Sequence, residues 1–427
     1  MQYELTHPKE LLPLLMSRVY RYGMTTISGG NMSFRDEGGD IWITPAGVDK
    51  GTLQRDDIVR VKAGGEIKGR YRPSSEFPFH KAIYEARPDI GGVVHAHPSA
   101  LVSFSLVRKV PPVRIIPQAS DICGTIGYAK YALPGSDVLG QNIAQRFADG
   151  YDAVIMENHG VVCGGKTILS AFHRFETLDF CARIAIKASM LGTFQELSEE
   201  QLKLLRHKKN HLPEFDPQVR TSREKAYRRH VCEVVHRAYD QQLMTSTEGV
   251  VSVRLKDDTF LITPPFMDRR LLTVQDIVLV SKQQRERGKL PSRAVLLHDR
   301  IYRDHPDIQA IISTQAPHAM AFNVSRQTLD TRSIPESYIL LRDIPQIPYG
   351  PQYTDEGQVS ARLNRDTPVL LLENDAILVV GQSLLQAFDR LEVAEFSARS
   401  LIDARLLGGL VAIGDSDLEE IKEHFLQ

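Results

Sequence analysis

Motifs in the first half of this 427-residue sequence return in the second half, in the same order and at an offset of roughly 218 residues. Pro73-Ser74-Ser75-Glu76, followed by His80-Lys81-Ala82-Ile83-Tyr84, is echoed by Pro291-Ser292-Arg293-Ala294, followed by His298-Asp299-Arg300-Ile301-Tyr302. Ile43-Thr44-Pro45, Pro88-Asp89-Ile90 and Glu157-Asn158 reappear as Ile262-Thr263-Pro264, Pro306-Asp307-Ile308 and Glu373-Asn374. A unit of some 200 residues is far longer than a solenoid repeat, so the pattern describes a duplicated globular domain. Length agrees, because a single hydrophobic core stops growing at about 250–300 residues. The seam falls in the polar stretch from Arg206-His207-Lys208-Lys209-Asn210 to Asp216-Pro217, which has little apolar periodicity. The expected division is a first domain over 1–205, a linker over 206–222 and a second domain over 223–427.

Each copy mixes helical and extended patterns. Apolar residues at helical spacing predict helices over 9–22, 75–86, 168–191 and 224–239, the second of them capped by a serine. Short apolar runs predict strands over 41–44, 58–61, 92–97 and 153–156, so each copy is a layered α and β structure. Composition serves mainly to exclude. With 42% hydrophobic and 25% charged residues and no tract of Pro, Ser or Gln, the chain is an ordinary globular one. A net charge of -1 gives no electrostatic case for nucleic acid or for an anionic membrane. Met1-Gln2-Tyr3-Glu4-Leu5-Thr6-His7-Pro8 lacks the basic and apolar parts of a signal peptide, and no run approaches the roughly 18 apolar residues that span a bilayer; a cytoplasmic protein is expected. Cys123, Cys163, Cys181 and Cys232 are widely spaced with no Cys-x-x-Cys pair, which predicts buried thiols rather than a zinc ribbon or a disulfide framework.

The chemistry is concentrated in the first copy. His95 and His97 flank Ala96 after the apolar run Ile90-Gly91-Gly92-Val93-Val94, and residues two apart on an extended strand face the same side, so both imidazoles can reach one ion. A third imidazole, His159, lies in Glu157-Asn158-His159-Gly160 after the buried-strand pattern Ala153-Val154-Ile155-Met156. With Glu76 upstream, these residues supply three nitrogen ligands and a carboxylate, enough for a catalytic divalent-metal site with open positions. A lone strand histidine is more often a hydrogen-bonded core residue, so it is the combination that carries the reading. The second copy has Ala294 for Glu76, Ser313 and Gln315 for His95 and His97, and Asp375 for His159. His298 there matches His80, a helix residue outside the ligand set, and His318 is displaced by three positions from the ligand slot. Three turns suit an anion: Ser28-Gly29-Gly30-Asn31-Met32-Ser33, Thr44-Pro45-Ala46-Gly47 and Ser74-Ser75. Each by itself also fits an ordinary turn or a helix cap.

The Gly-Asn-Met-Ser loop at 30–33, Pro-Ser-Ser-Glu at 73–76, His-Ala-His-Pro at 95–98 and Asn-His-Gly at 158–160 make the first copy resemble the class II aldolase and adducin family. Through the repeat the resemblance extends to the second copy as a degenerate descendant. It implies an α/β fold of two tandem three-layer α/β/α sandwich domains. It implies zinc, or another divalent ion such as manganese or cobalt, on His95, His97 and His159. Glu76 matches the family's acid/base carboxylate, and Asn31, Gly47, Ser74 and Ser75 match its phosphate-binding positions. The implied activity is a metal-dependent aldolase that cleaves a phosphorylated ketose to dihydroxyacetone phosphate and an aldehyde through a metal-stabilised enediolate. Alternatives on the same scaffold are a sugar-phosphate epimerase, dehydratase or decarboxylase, or a non-catalytic adducin-like binding protein. The implied partners are a small phosphorylated sugar and further copies of the chain, in a homo-oligomer with its domains around a pseudo-fourfold ring. Ala46 departs from the threonine often found in sugar-phosphate aldolases and removes one hydroxyl from that turn. No tyrosine near Arg114-Ile115-Ile116-Pro117-Gln118 matches the family's aromatic acid, which leaves Tyr128 and Tyr131 as candidates. Limited solvent contact is expected to keep the Glu76 pKa near neutrality, where proton transfer is efficient.

Overall fold

A computed structural model describes residues 6–208, 211–256 and 258–426. Met1 to Leu5, at the start read as leaderless, and Lys209-Asn210 of the polar seam lie outside these residues. The chain divides into two compact units, one formed by residues up to Val113 with Gln118–Arg183, the other by Arg114–Pro117 with the chain from Ile184 onward.

The first unit is built on an eight-stranded sheet. Its strands are β1 (Asn31–Arg35), β2 (Ile41–Ile43), β3 (Val59–Val61), β4 (Ile67–Lys68), β5 (Gly92–Ala96), β6 (Ile126–Ala129), β7 (Ala153–Met156) and β8 (Gly160–Gly165), in the order β4-β3-β2-β1-β5-β8-β7-β6. Neighbours run antiparallel except β6 and β7, which are parallel. The helices are α1 (Pro8–Arg21), α2 (Phe77–Ala86), α3 (Ser99–Leu106), α4 (Pro117–Cys123), α5 (Asp137–Ala148) and α6 (Ile168–Leu191), the last of which contains the division between the units.

Strand alternation sorts the side chains. On β5, Val93 and His95 face one side of the sheet, and Gly92, Val94 and Ala96 face the other. On the Val93 side, Phe79, Ile83 and Tyr84 of α2 pack with Leu139, Ile143 and Phe147 of α5 over Val154, Met156 and Val162. On the opposite side Met32, Val94, Ala96, Val161 and Cys163 are fully buried. There α1 meets β1 and β2, α3 meets β7 and β8, and Gly92 lies against Ile168 at the start of α6. Helices on both faces make the three layers, and a sheet covered on both faces must be apolar on both. That is why Val93-Val94 and Ala153–Met156 read as continuous apolar runs. Several boundaries differ by one or two residues from their expected places, and one of them bears on the site: α2 starts at Phe77 instead of Ser75. Glu76 occupies the cap position, with φ -95 and ψ 8, and its carboxylate turns to Asn31 instead of to a helix N–H.

The second unit carries β9 (Glu214–Phe215), β10 (Val250–Lys256), β11 (Thr259–Ile262), β12 (Val278–Ser281), β13 (Gln284–Glu286), β14 (Ala310–Thr314), β15 (Gln346–Ile347), β16 (Val369–Leu372) and β17 (Ala376–Gly381). Their order is β15-β16-β17-β14-β10-β11-β12-β13-β9. Apart from β9, this is the first sheet strand for strand, with β10 through β17 standing for β1 through β8 and β15 parallel to β16 as β6 is to β7. The sequence repeat is therefore a repeat of topology. β9 comes from the stretch read as a linker and adds to the β13 edge, with Glu214 opposite Arg285 and Phe215 opposite Glu286. Among the helices of this unit are α7 (Glu199–His207), α8 (Ser222–Asp240), α9 (Val295–Asp304) and α10 (Pro317–Ser325). Val295, Leu297, Ile301 and Tyr302 of α9 pack over Phe260, Ile262, Ile311 and Leu378, as α2 packs in the first unit. All four cysteines are buried and free, as their spacing predicts. Among the described residues, no helix is long and apolar enough to cross a membrane.

Candidate active site

Strand register brings the three histidines together. β8 sets Val162 opposite His95, and β1 sets Asn31 opposite His95 from the other side. His159 belongs to the tight connection from β7 to β8. Asn158 there is left-handed, with φ 55, a conformation that asparagine tolerates better than most side chains. The His159 N–H closes the turn on the Met156 carbonyl at 3.1 Å. Gly160 must lack a side chain, because a Cβ there would lie 2.6 Å from the Ala96 carbonyl oxygen and 2.7 Å from His97 Cδ2. Gly30, with φ 70, is held by the same logic: its Cβ would come 2.9 Å from the His95 carbonyl oxygen.

The ring centroids of His95, His97 and His159 stand 4.7, 5.1 and 5.0 Å apart in the pairs 95–97, 95–159 and 97–159. One nitrogen of each lies within 4.8 Å of the others, and among the described residues this is the one such group of three or more His, Cys, Asp or Glu. His95 Nδ1 is 2.9 Å from the Val161 carbonyl oxygen. A carbonyl only accepts, so Nδ1 carries the hydrogen and Nε2 faces the cluster, the arrangement that orients a metal-binding imidazole. His97 Nε2 lies 3.0 Å from His95 Nε2, and two ring nitrogens that close need a proton or a cation between them.

Glu76 sits beside this cluster, 8% exposed. Its Oε2 is 3.1 Å from His95 Nε2; its Oε1 is 3.4 Å from His159 Nε2 and has no hydrogen-bond partner. Burial, and after it the positive charge of His95, pushes the His97 imidazole down to about 3 and the His159 imidazole down to about 4, so both offer neutral lone pairs. His95 moves up: burial lowers it, but the charge and hydrogen bond of Glu76, with the Val161 carbonyl, together outweigh burial. Burial likewise raises the Glu76 carboxyl, yet His95, His159 and the Asn31 amide together hold it well below the usual carboxylate range. The expectation of a Glu76 pKa near neutrality therefore fails in this arrangement, because the charges of His95 and His159 and the hydrogen bonds from His95 and Asn31 together outweigh the desolvation cost. An anionic oxygen without a donor, facing converging imidazole nitrogens, fits a divalent cation held by His95, His97 and His159.

The anion-friendly turns are tied to one another. The Ala46 N–H donates to the Arg72 carbonyl at 3.1 Å and the Ser74 N–H to the Thr44 carbonyl at 3.3 Å, while Pro45 pairs with Pro73. The Lys50 N–H donates to the Ile27 carbonyl at 2.9 Å, which joins the loop before Asn31 to the same turn. Gly47 is exposed with φ 66 and open space around its α-carbon, and Ser75 is exposed. Ser74 is buried and takes the Glu76 N–H at 3.3 Å. The Asn31 side chain is committed at both ends, donating from Nδ2 to Glu76 Oε2 at 2.8 Å and receiving His80 Nε2 at 2.5 Å on Oδ1.

Lys50 escaped sequence reasoning. It is 2% exposed, its ammonium donates to the Pro45 carbonyl, and burial pushes its pKa down to about 8. The only signal was a lysine three residues after Gly47, which is far too common to single out. Tyr131 is exposed, and the Tyr128 hydroxyl is buried without a hydrogen-bond partner.

In the second unit the ligand slots carry other chemistry. Gln315 Nε2 donates to the Asp375 carbonyl at 3.0 Å, and Gln352 Nε2 donates to Asp375 Oδ2 at 3.2 Å. His318 Nδ1 is 2.6 Å from Glu395 Oε1, and the same carboxylate accepts the His318 and Ala319 N–H groups at the start of α10. Asn374 repeats the left-handed turn of Asn158, with φ 55. The backbone device survives where the ligands do not.

The family described as Class II Aldolase and Adducin N-terminal domain matches residues 10–186 and, again, residues 229–402. An L-fuculose phosphate aldolase of Methanococcus maripaludis is 35% identical over 182 residues, 42% of this chain and 95% of that protein. A 3-oxo-tetronate 4-phosphate decarboxylase of Haemophilus influenzae is 29% identical over 180 residues, 41% of this chain and 85% of that protein. Among solved structures, an L-fuculose 1-phosphate aldolase is 30% identical with a TM-score of 0.43, covering 46% of this chain and 92% of its own. The two matched stretches take in most of the sequence and fall on two sheets of one topology: the protein belongs to the class II aldolase and adducin N-terminal domain family and carries that domain twice.

Proposed function

We propose that the first copy is a metal-dependent aldolase that cleaves a phosphorylated ketose to dihydroxyacetone phosphate and an aldehyde. The observation that carries this reading is one carboxylate, Glu76, lying 3.1 and 3.4 Å from two of three imidazoles with converging nitrogens. When bound, a divalent ion such as zinc, manganese or cobalt stabilises the negative charge that develops on the substrate oxygens. His95, His97 and His159 would hold it with three nitrogens, a ligand number that leaves open positions for those oxygens. Glu76 takes the proton from the hydroxyl on the carbon that becomes the aldehyde as the carbon–carbon bond breaks. It then returns a proton to the enediolate carbon, so no net proton is lost. Asn31 occupies Oε2, which makes Oε1 the oxygen that handles the proton.

Gly47, Ser74 and Ser75 receive the phosphate, and Asn31 contributes there by shaping the loop, since its amide is already engaged. The Lys50 ammonium lies under the same turn and adds positive charge. Lys50→Met is expected to raise the KM for the phosphorylated substrate about tenfold with little change in kcat, the loss of one charge-assisted interaction. An unchanged KM in that variant removes Lys50 from the phosphate site.

The direct test is to supply the metal-loaded protein with a panel of phosphorylated ketoses and assay dihydroxyacetone phosphate. Release from none of them, with metal bound, rejects the aldolase. Similarity to the 3-oxo-tetronate 4-phosphate decarboxylase supports a second reading, decarboxylation of a 3-oxo acid phosphate at the same site. Carbon dioxide release without an aldehyde product selects it. The replaced ligands of the second copy support a non-catalytic role there. The duplication further supports a ring in which two chains supply four family domains, so light scattering should give the mass of a dimer or a larger closed assembly, and a monomer rejects the ring.

A further inference from the structure

We infer that Tyr84, Ser33, His80 and Asn31 form a one-directional hydrogen-bonded relay that positions the Glu76 carboxylate, and that the second copy retains the inner part of this relay with nothing to position. The inference builds on the reading of Glu76 as the proton-transfer group, but the directions of the bonds do not depend on it: they follow from the contacts, with burial fixing the protonation of His80 and Tyr84. A carboxylate only accepts, so Asn31 Nδ2 donates to Glu76 Oε2 at 2.8 Å and Asn31 Oδ1 is left as an acceptor. His80 Nε2, 2.5 Å from Oδ1, must then carry the ring hydrogen. Burial pushes the His80 imidazole down to about 3, so the ring is neutral, has one N–H, and must accept at Nδ1. Ser33 Oγ, 2.7 Å from Nδ1, therefore donates to it. That leaves Ser33 Oγ to accept the Tyr84 hydroxyl hydrogen at 2.7 Å, and burial raises the phenol pKa so that this hydrogen stays in place.

Every donor in the chain points toward Glu76, and hydrogen bonds aligned in one sense strengthen one another. Ser33, His80 and Tyr84 are all buried, so water does not compete for these contacts. The relay holds Oε2 and leaves Oε1 bare toward the histidines. The hydrogen bonds of Tyr84, Ser33 and His80 reach Glu76 only by way of Asn31, so the three act as positioning residues through it.

The second copy supplies an internal control. Ser252 Oγ lies 2.8 Å from His298 Nδ1 and 2.8 Å from the Tyr302 hydroxyl, and all three are buried. Val250 faces Ser313 there as Asn31 faces His95, and Ala294 stands where Glu76 does. His298 Nε2 instead meets Ser313 Oγ at 3.4 Å. The trio by itself is a core feature of the domain; Asn31 and Glu76 are what couple it to chemistry in the first copy.

Tyr84→Phe and Tyr302→Phe delete the same hydroxyl from the two copies, and the full chain carrying each is the test. Comparable losses of Tm are expected from both. Tyr84→Phe should lower kcat about tenfold, with KM and metal content unchanged, as loss of a partner behind a site residue does; Tyr302→Phe should leave kcat intact. Equal kcat in the two variants, each still folded, overturns the relay. Nitrogen-15 NMR of the wild-type histidines reads bond direction whatever reaction the site performs and whether or not Tyr84→Phe folds. His80 should be neutral with its hydrogen on Nε2, and a hydrogen on Nδ1 overturns the relay. If no phosphorylated ketose is cleaved by the wild type, the aldolase reading fails while the NMR result still decides the relay.

Discussion

Replacing Glu76 with glutamine should lower turnover about 10²–10⁴-fold while leaving the divalent ion in place. Glutamine preserves the size of the side chain, and its carbonyl oxygen can still accept the Asn31 N–H that now reaches Oε2 at 2.8 Å. What disappears is the ability to hold a proton at the second position, the Oε1 that faces His159 without a donor. KM should change little, because neither the phosphate turns nor the three imidazoles are altered. Steady-state kinetics and metal analysis of the same preparation read both halves of this expectation. Turnover within a few-fold of wild type would exclude Glu76 as the base, and loss of the ion would reassign it as a ligand.

His159→Ala should remove the ion itself. Loss of a residue that merely supports a metal ligand costs about 10–100-fold in affinity, so loss of one of three nitrogen ligands should exceed about a hundredfold. The wild type should bind one ion per chain, since Ser313, Gln315 and Asp375 in the second unit do not reproduce the imidazole set. An ion present at about a thousand times its dissociation constant stabilises the folded protein by about 4 kcal/mol. Metal should therefore raise the wild-type Tm about three times as far as that of His159→Ala or more, since a hundredfold weaker site at the same metal concentration contributes at most about 1.4 kcal/mol. Two ions per chain, or an equal Tm rise in the variant, would contradict the assignment.

How much of this was readable beforehand depends on how local the determinant is. The pairing of Ser33, His80 and Tyr84 with Ser252, His298 and Tyr302 shows why the duplication was legible: the same buried contacts recur, so the same residues recur at a spacing that differs by one residue. His95 and His97 were legible because strand periodicity alone places them on one side. The start of α2 was misjudged by two residues because Ser74-Ser75 looks like a cap, whereas a contact with Asn31, 45 residues away in sequence, turns Glu76 out of that role. The sign of the Glu76 shift was missed for a related reason. Burial can be guessed from an apolar neighbourhood, but the competing charge of His95 depends on a 3.1 Å approach that sequence does not encode locally. Lys50 left no recognisable trace, since its burial follows from how two turns fold over it.

The order of motifs, the tandem copies, the apolar two-sided strands and the set of candidate donor residues were all readable from sequence alone, because each depends on residue type and spacing along the chain. Tertiary structure decided which donors meet. The register of β5 against β1 and β8, the left-handed turn at Asn158 and the missing side chain of Gly160 bring His159 to His95 and His97. Convergence of this kind is a matter of ångströms set by packing and steric exclusion between segments distant in sequence, and no periodicity within either segment contains it.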